Sequence, residues 1–158
     1  MRIGITGHAT ITPETVLLVA AELRDLLSAR GRPLTGVSCL ARGADQVFAR
    51  VVLELGGRLH VVLPAADYAE RKVKPDNRAA FDALLAQAAD VRVLAFPTSN
   101  RDAYAAANDM LLAGVDELVA VWDGVPAGRT GGTAETVGIA RARGIPVTVV
   151  WPAGAARG

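Results

Sequence analysis

Short apolar runs alternate with longer amphipathic segments along almost the whole chain. The runs at residues 59–63 and 147–151 are nearly continuously apolar, which is typical of strands that are buried on both faces. The pattern predicts six strands, at residues 2–6, 36–40, 58–63, 91–95, 117–122 and 146–151. It also predicts five helices between them, at residues 13–30, 44–55, 75–89, 102–112 and 133–143. Strands that alternate with helices in this way indicate parallel β-α-β units.

The ends of the predicted helices carry local signals. Thr12 followed by Pro13 is typical of a helix N-cap and first helical position, and Gly144 is a typical residue after a helix end. We therefore predict an α/β fold, namely a single Rossmann-like, doubly wound domain over residues 1–152. Its mostly parallel sheet has about six strands flanked by helices. We expect residues 153–158 to form a flexible tail.

Composition and charge narrow the classes of partner. Lys and Arg total 17 against 16 Asp and Glu, a net charge of +1, and this balance argues against nucleic acid as a partner. No apolar run approaches the ~20 residues that span a bilayer, and the first residues lack a secretory signal pattern. A single cysteine, Cys39, excludes an intrachain disulfide and fits a reducing compartment. We therefore expect a cytoplasmic protein without a membrane partner.

Ligands of doubly wound sheets bind beyond the carboxyl ends of the strands, so the residues that follow each strand are the candidates for a site. After the first predicted strand, Gly7 allows a tight turn or a close approach to a ligand. His8 adds a hydrogen-bonding group, with a turn or capping role as an equal alternative. After the second strand, Arg42 and Gly43 precede a helix N-terminus, where backbone N–H groups bind anions. Asp45 follows in the first helical turn, where we favour a structural role in the helix dipole.

Two further candidates lie after the third and fourth predicted strands. Tyr68 is as suited to packing as to stacking on a ligand ring. Asn108 shares one helical stripe with Tyr104 and Leu111, so it lies at a buried edge and needs a hydrogen-bonding partner. That partner is either a loop backbone or a ligand.

The most specific segment is Gly131-Gly132-Thr133-Ala134-Glu135-Thr136, which follows the fifth predicted strand. Consecutive glycines and a hydroxyl residue that open a helix can form a phosphate cradle from backbone N–H groups and the helix dipole. We expect Thr133 to act there as both N-cap and donor. No Lys-Ser/Thr follows the glycines, so this is not a Walker A loop. Asp123, at the end of the strand, is expected to bind a ribose hydroxyl or to brace the loop.

Other chemistries find little support in the sequence. The segment after the first strand is not G-x-G-x-x-G, which disfavours a nicotinamide-dependent dehydrogenase. His8 and His60 are the only histidines, and His60 lies within an apolar strand. Cys39 has no evident histidine partner and is interpreted as an inert buried thiol. We therefore expect neither a metal site nor a bound cofactor.

Five motifs, in this order along nearly the whole chain, resemble the SLOG superfamily of Rossmann-like proteins, which includes LOG-type (lysine-decarboxylase-like) proteins and the DprA-like domain. They are Gly4-Ile5-Thr6-Gly7-His8, Ala41-Arg42-Gly43-Ala44-Asp45, Asp116-Glu117-Leu118-Val119-Ala120-Val121-Trp122-Asp123-Gly124, Gly131-Gly132-Thr133-Ala134-Glu135-Thr136 and Pro146-Val147. The resemblance implies binding of a small nucleotide or nucleotide-derived ligand, with its phosphate at Gly131, Gly132 and Thr133. It also implies a homodimer.

The LOG-type enzymes, which hydrolyse the N-glycosidic bond of nucleoside 5′-monophosphates, have the loop Pro-Gly-Gly-x-Gly-Thr-x-x-Glu and a catalytic arginine on the preceding helix. Here Thr136 stands in place of that glutamate, and Tyr104-Ala105-Ala106-Ala107-Asn108 lacks the arginine. Glu135 is one residue away, about 100° around a helix. We therefore favour binding or sensing of a nucleotide-like phosphate ligand. The alternative is a LOG-like phosphoribohydrolase that uses Glu135 or Asp123. The predicted ligand-binding residues are Gly7, His8, Arg42, Gly43, Asn108, Asp123, Gly131, Gly132, Thr133 and Thr136.

Overall fold

A computed structural model describes residues 1–126 and 132–158 of the chain. Its strands are β1 (Arg2–Gly7), β2 (Thr35–Ser38), β3 (Arg58–Leu63), β4 (Asp90–Val93), β5 (Glu117–Val121) and β6 (Val147–Val150). Its helices are α1 (Pro13–Ser28), α2 (Ala44–Glu54), α3 (Tyr68–Arg71), α4 (Pro75–Ala86), α5 (Arg101–Leu112) and α6 (Thr133–Ala142). None of these helices is long and apolar enough to cross a bilayer.

The six strands form one sheet in the order β4-β3-β2-β1-β5-β6. Every neighbouring pair is parallel. The predicted α/β class is therefore confirmed, and the sheet is entirely parallel over the described residues. The chain builds the sheet outward from β1 to β4 and then crosses over to β5, so the strand order reverses between β1 and β5. Ligands of such sheets bind beyond the strand ends at this reversal.

Helices cover both faces of the sheet, as the apolar run of β3 predicted. The same expectation is wrong for β6, because β6 is an edge strand and its Val149 is 40% exposed. On one face, Phe48 of α2 packs with Ile5 of β1, together with side chains of α1. The helices α3 and α4 extend this layer along α2 and β3. On the other face, Leu111 of α5 and Ala140 of α6 pack with Leu118 of β5. The core therefore consists of two apolar layers, one on each face of the sheet. Neither layer covers the carboxyl-terminal edge of the sheet.

The element boundaries differ from the predictions in a few places. The N-cap at Thr12 is confirmed, because its hydroxyl oxygen accepts a hydrogen bond from the Thr15 N–H at 3.2 Å. Strand β2 ends two residues early, since Leu40 has a φ of 56° and leaves the extended conformation. Helix α3 was not predicted, because four residues are too few to show a helical period.

The segment 153–158, which the sequence suggested as a flexible tail, is hydrogen-bonded to the loop after β1. The Ala156 carbonyl accepts hydrogen bonds from the Thr12 N–H at 3.2 Å and from the Thr15 hydroxyl at 3.1 Å. The Gly158 N–H donates to the Thr10 carbonyl at 3.2 Å. These contacts bring Arg157 to the carboxyl-terminal edge of the sheet, where it contributes to the cavity described below.

A buried ion pair fastens α1 to the sheet. Glu117, the first residue of β5, is only 5% exposed and accepts hydrogen bonds from Nε and Nη2 of Arg30 at 2.7 and 3.0 Å. The Thr148 hydroxyl of β6 donates a further hydrogen bond to the same carboxylate. The hydrogen bonds from Arg30 hold the pKa of Glu117 below its usual value. The pair therefore stabilises the fold whenever Glu117 is ionised.

Removing Arg30 should leave the Glu117 charge buried without its main partner. We expect Arg30→Ala to lower the free energy of unfolding at pH 7 by on the order of 2 kcal/mol. A carboxyl group with a lowered folded-state pKa stabilises above its unfolded pKa, near 4.5, and loses that contribution as the pH falls through the folded value. The deficit of the variant should therefore shrink below pH 4.5. Urea denaturation at pH 7 and at pH 4 measures both effects.

Arg24→Ala is the matched control for this comparison. Arg24 lies on α1, whereas Arg30 follows its end, and Arg24 contacts Glu54 with two guanidinium nitrogens, at 2.8 and 3.4 Å. Both of these side chains are about half exposed, at 49% and 48%, so solvent screens their interaction. The control should lose clearly less stability than Arg30→Ala. Equal losses in the two variants would contradict a special role for the buried pair.

Candidate functional site

A crevice of about 550 Å³ opens at the carboxyl-terminal edge of the sheet. It lies where the strand order reverses, at the ends of β1 and β5. Its walls are the loop after β1, the N-termini of α2 and α6, the loop after β3 and one side of α5. These are the positions at which the sequence placed its candidates.

The structure brings together six of the ten predicted ligand-binding residues. Those that line the crevice are Gly7, His8, Asn108, Gly132, Thr133 and Thr136. Gly131 lies outside the described residues. The remaining three, Arg42, Gly43 and Asp123, are not among the lining residues.

Arg42 and Gly43 border a separate, smaller hollow of about 170 Å³. The Arg42 guanidinium contacts the Asp76 carboxylate of α4 at 2.6 Å, and both side chains are largely exposed. Gly43 has a φ of +83°, and an added Cβ would lie 2.4 Å from the Ala9 carbonyl oxygen and 2.6 Å from that of His8. The glycine is therefore required for the contact between the loops after β1 and β2.

Gly7 occupies the tightest position in the crevice. A Cβ there would lie 2.5 Å from the Ala44 Cβ and 2.9 Å from the Val121 carbonyl oxygen, so any larger residue clashes with α2 and β5. The His8 carbonyl then accepts a hydrogen bond from the Ala44 N–H at 3.2 Å. The absence of a side chain at residue 7 allows the chain to pass between α2 and β5.

The N-terminus of α6 forms one end of the crevice. Gly132 is the N-cap, with φ −81° and ψ 176°, and Thr133 is the first helical residue. The prediction that Thr133 caps the helix is therefore wrong, because helical geometry begins at Thr133 itself. Gly132 has no side chain to accept from the first-turn N–H groups, and these carry the positive end of the helix dipole. The buried Thr136 hydroxyl donates to the Gly132 carbonyl at 3.2 Å.

His8 and Asp123 belong to a polar cluster beside this helix end. The His8 Nε2 accepts a hydrogen bond from the Asp123 N–H at 3.2 Å, and its ring contacts Trp151 edge-on at 5.5 Å. Burial and the nearby Arg157 charge lower the pKa of His8, consistent with a neutral imidazole that accepts. These contacts correspond to the turn role that the sequence left open for His8.

The Asp123 carboxylate is engaged within the protein. It lies 2.7 Å from Nε of Arg157 and accepts a hydrogen bond from the Val125 N–H at 2.9 Å. The hydrogen bond from Arg157 is the main reason that the pKa of Asp123 falls to about 2. The carboxylate braces the segment after β5, while Arg157 itself lines the crevice.

Asp45 is the functional candidate that sequence reasoning undervalued. It lies in the first turn of α2, is 8% exposed, and lines the crevice. One of its oxygens accepts a hydrogen bond from the Ala41 N–H at 3.2 Å. Burial raises the pKa of this carboxyl group to about 7. Its position directly after a strand was the available signal, but a helix-dipole role explained the residue without any reference to the crevice.

Two tyrosines line the crevice on the same side as Asp45. Tyr68 of α3 is buried, and its ring contacts that of Tyr104 of α5 in a T-shaped arrangement at 6.3 Å. Tyr104 is 36% exposed. Cys39 also lines this side, and burial raises the pKa of its thiol, which makes it a poor nucleophile. Among residues 1–126 and 132–158, no three metal-binding side chains come together.

No protein-family model matches the sequence, and no curated protein matches it. Solved structures do match. DprA from Helicobacter pylori is 17% identical with a TM-score of 0.70, over 99% of this chain and 68% of that chain. DprA from Streptococcus pneumoniae is 16% identical with a TM-score of 0.69, over 97% of this chain and 51% of that one. The chain shares the fold of both DprA structures. It spans about half the length of the Streptococcus pneumoniae protein.

A second group of matches shares the same fold. The molybdenum cofactor binding protein from Rippkaea orientalis is 17% identical with a TM-score of 0.59, over 94% of this chain and 74% of that chain. The superfamily resemblance drawn from the five motifs is thus confirmed for the fold.

The expectation that argued against nucleic acid as a partner is wrong. DprA from Helicobacter pylori, whose fold this chain shares, is described by its single-stranded DNA binding mode. Net charge sums over the whole surface and gives no measure of the local field in a crevice that is lined by helix N-termini. A balance of +1 is therefore no ground for excluding such a ligand.

The raised pKa of Asp45 predicts a pH-dependent loss of stability. The unfolded chain ionises this group near pH 3.8, whereas the folded protein holds the proton until about pH 7. The contribution of this group to the free energy of unfolding is therefore fully present at low pH and is lost as the pH rises through 7. From pH 5 to pH 8, the free energy of unfolding of Asp45→Asn should rise by on the order of 2 kcal/mol relative to that of the wild type. Urea denaturation at the two pH values measures the gain.

Asp25→Asn is the control for this experiment, because it makes the same chemical change on an exposed side chain of α1. Its stability should follow that of the wild type at both pH values. Cys39 and Tyr68 face Asp45, and burial raises the pKa of both, so neither should ionise between pH 5 and pH 8. A constant difference between wild type and Asp45→Asn across this interval would contradict the burial effect.

Proposed function

We propose that the crevice binds a nucleotide-type ligand, meaning a phosphate joined to an aromatic ring, either free or within a nucleic-acid strand. The observation that carries this proposal is that a helix N-terminus and a pair of aromatic rings line the same cavity of about 550 Å³. A volume in this range suits a small-molecule ligand. The strand reversal between β1 and β5 is also the usual ligand position in such sheets.

The end of the crevice at α6 suits the phosphate. Backbone N–H groups in the first turn of a helix bind anions, and the helix dipole adds to the attraction. Gly132 leaves this approach unobstructed, and Thr133 contributes a hydroxyl at the crevice wall. Arg157 also lines the crevice, with its guanidinium paired to Asp123. These groups provide a local anion site in a chain whose overall charge is near zero.

The opposite end suits an aromatic ring. The Tyr68 ring is held in place by Tyr104 and by Phe81, whose ring centre lies 6.0 Å away. Pro64 and Leu111 add apolar surface to the wall. Aromatic rings pack favourably in offset or edge-to-face arrangements, so this end can hold a base without any base-specific hydrogen bond.

Proteins with the SLOG fold support binding as the function. Among them are a protein described by its single-stranded DNA binding mode and a molybdenum cofactor binding protein. Binding is also preferred over hydrolysis on geometric grounds. The two candidate acids, Glu135 and Asp123, are not among the residues that line the crevice, and Asp123 is engaged by Arg157. The homodimer implied by the resemblance stays a prediction.

A thermal-shift panel tests the binding function. We expect at least one of AMP, GMP, NAD, ADP-ribose, the molybdenum cofactor and a short oligodeoxythymidine to raise the Tm. A ligand at 100 times its Kd stabilises the native state by about 2.7 kcal/mol, which is several degrees for a domain of this size. Gly132→Val should abolish the shift, because a branched side chain blocks the approach to the α6 N–H groups.

Gly138→Val is the matched control. Gly138 lies on α6 as well, but a Cβ there meets no atom within 4 Å, so the shift should survive. If no phosphorylated compound raises the Tm, the proposed function is wrong. If Gly132→Val binds as tightly as the wild type, the phosphate does not lie at α6.

A separate assay addresses hydrolysis. Incubation with AMP followed by chromatography should show no free base. Base release that disappears in Glu135→Gln would replace binding by an N-glycosidase activity.

A further inference from the structure

The Asp45 carboxyl group is a buried hydrogen-bonding group that its own protein satisfies only in part. One oxygen accepts from the Ala41 N–H at 3.2 Å. Within residues 1–126 and 132–158, no donor contacts the other oxygen. Asp45 lines the crevice wall, and 8% of the residue is exposed. No fully buried side-chain oxygen or nitrogen of the described residues lacks a hydrogen-bond partner, so the second Asp45 oxygen keeps accessible surface. The side chain is thus positioned to accept hydrogen bonds from a molecule in the crevice.

The side chains around Asp45 do not provide a positive charge that pairs with it. The titratable groups that face it are Cys39 at the end of β2 and Tyr68 of α3, and burial raises the pKa of both. Neither therefore carries a charge near neutral pH, and no arginine or lysine of the described residues forms an ion pair with Asp45. A ligand that binds here has to provide the hydrogen-bond donors itself.

The sheet topology places Asp45 at the ring end of the crevice. Asp45 follows β2, Gly132 follows β5, and β1 lies between these strands. A ligand with its phosphate at α6 must extend past the end of β1 before its ring reaches Asp45. A nucleoside monophosphate has this extended shape.

We propose that Asp45 selects ligands whose ring presents a ring N–H beside an exocyclic amino group, the donor pair found in guanine and in pterins. This inference rests on the proposed function and names the ligand class for the same crevice. An ionised carboxylate has about four acceptor positions, so the oxygen bound to Ala41 still accepts a second hydrogen bond. Two parallel N–H donors then satisfy both oxygens in a charge-assisted pair. Adenine presents an unprotonated ring nitrogen beside its amino group, and this nitrogen repels the carboxylate.

Isothermal titration calorimetry at pH 8 tests the selection, because the carboxyl group is ionised above its pKa of about 7. GMP, IMP and AMP share the sugar and phosphate. At the ring edge GMP presents two adjacent donors, IMP presents one, and AMP presents one amino donor beside a ring nitrogen that only accepts. We expect GMP to bind more tightly than IMP, and IMP more tightly than AMP. A good bidentate contact to a base edge predicts a GMP-to-AMP affinity ratio of roughly tenfold to a hundredfold.

Asp45→Asn provides a change of specificity rather than a simple loss. An amide offers one donor and one acceptor, the pattern that matches the edge of adenine. The variant should bind AMP at least as tightly as the wild type does, and its GMP-to-AMP ratio should fall to about one or below. A variant that merely fails to fold cannot retain AMP binding. The control Asp25→Asn, exposed on α1, should keep the wild-type ratio.

The outcomes separate the ligand class from the binding function. Equal affinities for GMP and AMP in the wild type, or a GMP preference that persists in Asp45→Asn, would overturn the role of Asp45 and leave nucleotide binding intact. No binding of GMP, IMP, AMP or neopterin monophosphate would overturn the role of Asp45, whereas the proposed function fails only if no compound of the thermal-shift panel raises the Tm. Neopterin monophosphate is included because it carries the same donor pair, and tighter binding of it than of GMP assigns the pocket to a pterin.

Discussion

The site depends on how closely the end of β1 approaches its neighbours. At Gly7 the backbone passes between Ala44 of α2 and Val121 of β5, with no space for a Cβ. The His8 N–H donates to the Val121 carbonyl at 3.1 Å, and the His8 carbonyl accepts from Ala44 at 3.2 Å. This contact fixes the N-terminus of α2 on one side of β1 and the end of β5 on the other. The groups suited to a phosphate and to a ring are separated across it.

Much of the fold could be predicted from the sequence because burial on both faces of a strand is visible in a short apolar run. The features that were missed depend on contacts between distant residues or on a single backbone angle. The hydrogen bonds between Ala156 and Thr15 join residues 141 positions apart, and no local pattern reports them. The early end of β2 follows from the left-handed conformation of Leu40. A leucine in the sequence does not indicate that conformation.

The site was predictable to the extent that position along the chain determines it. Gly7, Asn108 and the first residues of α6 follow strands whose ends meet at one edge, so their proximity followed from the fold. The direction in which each side chain points did not follow from the fold. Arg42 extends to Asp76 of α4, on a helix whose placement the sequence could not give. Asp45, three residues later, lines the crevice. At this helix end, Arg42 therefore points away from the crevice. Asp45, which the sequence analysis assigned to the helix dipole, lines it.

The contact at Gly43 has a mechanical consequence. Its Cα lies against the carbonyl groups of His8 and Ala9, so backbone meets backbone with no flexible side chain between the two loops. Any displacement of the loop after β1 is therefore transmitted directly to the first turn of α2, which carries Asp45. The two loops should therefore move together, so a displacement of the loop after β1 also shifts Asp45 in the crevice wall.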